Sequence, residues 1–397
     1  MLSEHISRQA ILFFILYGVT GVVSLLAALY LWLYRGNAIA SGVTPPVRLR
    51  RWAACFFSVS VLDHVWWLLF CISYGDIRSM DDLFHSVGYW AIVMLDYVAM
   101  LTTLAGTLLS MLQDRRRPVW PVFVAMIPIV ALGGGFMVSP DILLHQIGVA
   151  YIVLLYVLFA VYMVFAVRRY GRWLNDNYAD LENKKVWLSQ VVTFACLLLF
   201  ILYTFIDINT TLLMFLMHFS ELVLFVLLLW RVETLPQLES LTPNPSSKER
   251  GAYSSSAENS ADKGNHSHLL GRGVGGETPV TIDIKQIERL LKERCEDKQL
   301  YLKHDLSLQE LAQKVGTNRT YLSQYFSRQS ITYNTYINNL RVNHFIKCYE
   351  EGIAAGQPIS AQELAYESGF SSYRTFSRAF TQRMGKSVTD WMRQSAE

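Results

Sequence analysis

Seven apolar runs occupy the first part of the chain, at about 11–34, 53–74, 87–112, 119–138, 146–167, 187–206 and 210–230. Each is close to the roughly 20 residues that a helix needs to cross hydrocarbon. The pattern therefore predicts seven membrane helices within residues 1–232. The fourth run carries Pro121, Pro128 and Gly133–Gly135. A kinked or irregular outer end is expected there, tolerable where neighbouring helices satisfy the freed backbone. Across 233–279 periodicity is lost, and the segments TPNPSS (242–247), SSS (254–256) and GRGVGG (271–276) are turn-forming. This stretch reads as a flexible tether with a root-mean-square span of roughly 35–40 Å.

Beyond it the period becomes that of amphipathic helices. Val280–Lys298 places Ile282, Ile284, Ile287, Leu290 and Leu291 among charged residues. A short pattern then occurs twice: LQELAQKVG (308–316) followed by TNRTYLSQYF (317–326), and AQELAYESG (361–369) followed by FSSYRTFSRAF (370–380). Each copy predicts a short helix, a glycine turn and a second short helix. Ser307 with Glu310, and Ser360 before the second copy, are N-cap signals. Ala312 and Ala365 are small where helices cross, and Gly316 and Gly369 permit the turn. Tyr336–Tyr349 reads as a long connecting helix and Glu351–Gln357 as a loop. The fold class expected is all-α, a seven-helix membrane bundle followed, over 280–397, by two helix-turn-helix units.

Composition agrees only after the chain is divided. Of 397 residues, 52% are hydrophobic and 17% charged, and the net charge is +3. These averages mix an apolar half with an ordinary soluble one, so the distribution of charge matters more. Basic residues follow the first (Arg35, Arg48, Arg50, Arg51), third (Arg115, Arg116, Arg117) and fifth (Arg168, Arg169, Arg172, Lys184, Lys185) runs. The alternate connections lean acidic, with Asp76, Asp81 and Asp82 beside Arg78, then Asp141, then Asp207. The basic set is assigned to the cytoplasm. Seven spans then put the N-terminus outside and the C-terminal domain inside. Glu4 and Arg8 do not make a basic leader, so the first run is expected to be a true span.

Ionisable residues within spans are costly and mark candidate sites. They are Asp63 and His64 in the second run, Asp96 in the third, and His218 and Glu221 in the seventh. Interhelical pairing is the plain alternative to a ligand- or proton-sensing role. His218 and Glu221 share a helix face. Asp63 and His64 lie about 100° apart on their helix, so they are expected not to aim at one spot. A zinc site would require His64, Asp96 and His218 to converge. The five cysteines form no C-x-x-C pair, so no metal, cofactor or disulfide framework is expected from them.

The duplicated pattern is where family resemblance enters. Residues 284–394 resemble the AraC/XylS family DNA-binding domain, on Leu308–Phe326, Tyr336–Arg341, Ser360–Phe380 and Gly385–Trp391. The run from Gly369 to Phe380 is the most specific part. This chain has Gln329, Ser330 and Ile331 where the family usually has a glycine, and Val388 and Trp391 where it has proline and tyrosine. The resemblance implies two recognition helices, beginning near Asn318 and Ser371, that enter successive major grooves. Candidate DNA-facing residues are Asn318, Arg319, Thr320, Ser323 and Gln324, then Ser371, Ser372, Tyr373, Arg374, Thr375, Ser377 and Arg378. Arg383 and Lys386 suit phosphate, and Arg374 and Arg378 suit base edges. Expected partners are double-stranded DNA, the lipid bilayer, RNA polymerase, a small-molecule or lipid ligand, and a second copy of the chain as a homodimer. The chain resembles membrane-tethered bacterial regulators of this family, non-enzymatic and anchored in the inner membrane. The alternative is a membrane enzyme or transporter with an autoregulatory DNA-binding tail.

Overall fold

The computed structural model describes residues 8–73, 87–139, 141–205, 211–238, 284–356 and 359–396. Among them are fourteen α-helices and no β-strand. The chain divides into two compact units, the first comprising Met1–Asn175 and Asp180–Leu238, the second Asp176–Ala179 and Glu239–Glu397. The tether expected at 233–279 lies outside the described residues from 239 onward. Its first residues are packed in the first unit, with Glu233 and Leu235 fully buried.

Seven helices build the first unit: α1 (Arg8–Leu33), α2 (Val47–Ser73), α3 (Val87–Ser110), α4 (Trp120–Val138), α5 (Ile142–Asn177), α6 (Trp187–Phe205) and α7 (Thr211–Thr234). Among the described residues, six of them, all but α6, are long and apolar enough to cross a membrane. α2 packs against α1, α3 and α7. The polarity of this unit is inverted relative to a soluble protein. Phe14, Leu33, Val138, Ile142 and Phe165 are exposed, whereas Thr20, Ser24, Ser60, Thr107 and Thr193 are fully buried. Each of those hydroxyls donates to a carbonyl three or four residues back in its own helix. Small, internally satisfied residues let helices approach closely where lipid offers no hydrophobic drive between them. α4 is helical through Val138 with Pro128 inside it, so the irregular outer end expected from Gly133–Gly135 is not present.

The basic connections gather at one end of this unit. Arg48 donates to the Arg117 carbonyl at 2.5 Å, and Arg231 donates to the Lys185 carbonyl at 2.5 Å. Gln113 binds Pro236 and Leu238, and the Gln237 amide donates to the Thr44 carbonyl. Glu233 accepts from Tyr30 at 2.8 Å and lies 3.9 Å from Arg50.

The second unit contains α8 (Ile284–Leu291), α9 (Leu308–Val315), α10 (Arg319–Arg328), α11 (Tyr333–Ala354), α12 (Ala361–Glu367), α13 (Tyr373–Met384) and α14 (Val388–Ala396). The first helix is shorter than expected: α8 gives way to one π-turn over Lys292–Glu296, while 280–283 lie outside the described residues. α11 is longer, starting at Tyr333 behind the Thr332 cap and continuing through Glu351 to Ala354, where a loop was expected. Two separate cores result. α8, α9, α10 and the start of α11 enclose Leu311, Val315, Leu322, Phe326 and Ile337, together with Ala179. The later part of α11 with α12, α13 and α14 encloses Phe345, Phe370, Phe376, Phe380 and Trp391.

Candidate nucleic-acid interface and a polar cluster in the helical bundle

Both helix-turn-helix units are built as their caps dictate. Ser307 accepts from the Glu310 amide, and the Glu310 carboxylate pairs with Lys303. Gly316 ends α9 at φ +84°, and Gly369 follows α12 at φ +90°. A Cβ on Gly369 would lie 2.7 Å from the Leu302 carbonyl oxygen, so both conformation and space demand glycine there. In α10 and α13 the apolar faces turn inward through Leu322 and Phe326, and through Phe376 and Phe380.

What remains outside is a polar stripe on each helix. On α10 Thr320, Ser323 and Gln324 are exposed, and Ser327 and Arg328 extend the same stripe, which sequence reasoning had stopped short of. Their spacing from Thr320 and Gln324 was the available signal. On α13 Tyr373, Arg374 and Arg378 are exposed, Ser377 is half-buried beside them, and Ser371 is exposed just ahead of the helix.

Four of the expected DNA-facing residues already have structural work. Asn318 is the N-cap of α10, its Oδ1 accepting from the Tyr321 amide at 2.8 Å. Ser372 caps α13 by accepting from the Thr375 amide, and the two hydroxyls lie 3.1 Å apart. Arg319 donates through Nε and Nη2 to the Asn177 Oδ1, at 3.0 and 2.7 Å. Burial pulls its guanidinium pKa below the ordinary value. Asn177 belongs to the segment Asp176–Ala179, which also bridges Tyr178 to Ser307 and receives a bond from Asn334 at the Ala179 carbonyl. Arg383 and Lys386, expected at phosphate, donate to Asn343 and Gln394, each at 2.5 Å.

One residue that holds the domain together escaped the sequence reading. Arg341 on α11 is 1% exposed. It donates to the Tyr301 and Lys303 carbonyls at 2.7 Å each and lies over the Phe370 ring. It thereby ties the turn before α9 to the second unit's core. Nearby, burial pushes the Cys295 thiol up to about 12.

In the first unit, the five ionisable residues expected within spans come together. The His218 Nδ1 lies 3.2 Å from Glu221 Oε2. Asp63 hydrogen-bonds Asp96 and also Trp67. Asp63, His64 and Glu221 bring one ligand atom each to within 4.8 Å of one another. The expectation that Asp63 and His64 could not share a target is therefore corrected. Their Cα–Cβ bonds diverge, but both side chains are long enough to fold toward Glu221, which enters from α7. His64 is buried, with Nδ1 2.8 Å from the Ser60 carbonyl and Nε2 2.9 Å from Thr20 Oγ1. Tyr17 stands between the two imidazoles, its ring centroid 4.8 Å from His64 and 5.5 Å from His218.

Residues 311–394 match the family model described as a helix-turn-helix domain, of the AraC type. No curated protein and no solved structure matches the chain.

Proposed function

We propose that this chain is a membrane-anchored transcriptional regulator whose bundle senses a ligand or a membrane state and modulates DNA binding by the C-terminal domain. The DNA-binding part rests on firm ground, because the helix-turn-helix match marks a DNA-binding transcription regulator. The observation that carries the rest is the coexistence, in one chain, of that domain with six membrane-length helices whose outward faces are apolar.

α6 is read as a further span, which makes seven. An odd number puts the two termini on opposite sides of the membrane. The gathering of Arg48, Arg117, Lys185 and Arg231 at one end supports that end as cytoplasmic. The location read is a bacterial inner membrane, with the C-terminal domain facing the chromosome. Double-stranded DNA is the partner, with RNA polymerase downstream of it. The two exposed stripes, Thr320–Gln324–Arg328 and Arg374–Arg378, are the surfaces read as touching DNA.

The test maps bound chromosomal DNA for the full chain and for a chimera in which residues 1–232 are replaced by an unrelated membrane anchor. The expected result is operator occupancy in both and a response to stimulus in the full chain alone. Equal regulation by both would reduce the bundle to a passive anchor. The polar cluster favours one second reading, a membrane enzyme or transporter with an autoregulatory tail. Flux or turnover by reconstituted chain, lost in His64→Ala, would select it.

A further inference from the structure

The polar cluster of the bundle poses a charge problem. Three carboxyl groups, Asp63, Asp96 and Glu221, lie together among helices built for lipid. Two carboxylates can meet in such a setting only with a proton or a cation between them. Among the described residues of α1, α2, α3 and α7, permanent cations are remote. The spans Ile11–Leu33 and Gly88–Ser110 contain no lysine or arginine. On α2 the nearest is Arg51 and on α7 it is Arg231, about 18 Å and about 15 Å along their helices from Asp63 and Glu221. Among the described residues, the two imidazoles, His64 and His218, stand beside the acids.

We propose that Asp63, His64 and Glu221, with Asp96 and His218 at their flanks, bind a divalent first-row transition-metal cation, for which Zn²⁺ is the probe. The observation that supports it is convergence: donor atoms from α2 and α7 within 4.8 Å of one another, joined by Asp96 of α3. A mixed imidazole and carboxylate set suits zinc-like ions better than Mg²⁺ or Ca²⁺, which favour oxygen alone. To bind, the His64 imidazole would leave the Ser60 carbonyl that its Nδ1–H now faces and give up that proton, with the Thr20 hydroxyl beside it as a partner for the other ring nitrogen. Gly21 gives that ring its room, since a Cβ there would lie 3.1 Å from His64 Cδ2. A bound cation would link α2, α3 and α7, and its arrival or loss is a change that the bundle can report. This inference rests on the sensor reading above and names its ligand class.

The experiment uses full-length chain without a histidine tag, in nonionic detergent. It carries His266→Asn and His268→Asn so that those two histidines cannot bind zinc. Equilibrium dialysis followed by elemental analysis is expected to give one Zn²⁺ per chain, not displaced by excess Mg²⁺. Glu221→Gln, Asp63→Asn and His64→Ala each remove a direct ligand and should weaken binding by more than the roughly 10–100-fold that loss of an outer-shell partner costs. Zinc just sufficient to saturate the parent chain should raise its unfolding temperature clearly more than that of the isosteric Glu221→Gln and Asp63→Asn chains. Substoichiometric zinc, or zinc binding equal in all the variants, overturns the proposal. If zinc does not bind but the anchor chimera still loses its response, this proposal falls and the sensor reading stands. If zinc binds as expected but the chimera regulates normally, the site stands and the sensor reading falls.

Discussion

Ser330 follows α10 at φ +54°, within the stretch 329–331 where the resembled family usually carries a glycine. A left-handed backbone costs a side-chain-bearing residue roughly 1–2 kcal/mol. Ser330→Gly should therefore raise the stability of the C-terminal domain by roughly 0.5–1 kcal/mol, after the greater freedom of unfolded glycine is subtracted. Denaturant titration followed by proteolysis of that domain would check it, and an unchanged midpoint would mean that the strain is relieved locally. Arg374 and Arg378 carry the binding prediction. Arg374→Ala or Arg378→Ala should each weaken operator binding by about 1–3 kcal/mol if the residue reads a base. Footprinting and affinity at fixed salt test both, and unchanged values would remove them from the interface. Asn318 and Ser372 belong to another class. Alanine there should lower helix stability by about 1 kcal/mol, because each side chain caps its helix.

At the scale of elements, α11 is the part on which the domain depends. Its first turns close one core and its later turns close the other, so the two recognition helices are held by a single rod. Arg341 sits between the cores with its charge met by two carbonyls and a ring. Arg341→Met would keep the bulk and leave both carbonyls without their donor. A loss of about 2–4 kcal/mol is expected, with both units loosened together. Hydrogen exchange that rises in α9 and α13 alike would bear this out, while a change confined to one unit would not. The π-turn after α8 carries a second test. Cys295 is fully buried there with its thiol pushed up to about 12, whereas Cys348 is partly exposed. At pH 8 the Cys295 thiolate fraction is then about one in ten thousand. Alkylation should reach Cys348 first and Cys295 only when the core opens.

For the whole molecule, the exterior of the first unit decides how the protein behaves. Its exposed phenylalanine, leucine and valine side chains far exceed what a water-facing surface carries. Alkaline carbonate should leave the chain in the membrane pellet, and detergent should release it. Release by carbonate alone would contradict integral insertion. Sidedness depends on α6. With it as a span, a reporter fused after Glu397 and one at the chain start should lie on opposite sides; without it, on the same side.

The linear pattern determined the helical class, the apolar first part and the duplicated helix-turn-helix, because helix periods, caps and glycine turns are local properties of the chain. It also named the ionisable residues in the spans, since a charged residue in an apolar run stands out without any structure. Tertiary structure decided what those residues do together. That Asp63 and His64 reach one point depends on α7 supplying Glu221 between them, and helical geometry along one segment cannot contain that fact. The buried role of Arg341, the capture of Arg319 by Asn177 and the division of α11 between two cores have the same origin. Arg341 meets the Tyr301 and Lys303 carbonyls 40 and 38 positions back along the chain, and Arg319 meets Asn177 142 positions back, and such meetings are set by packing.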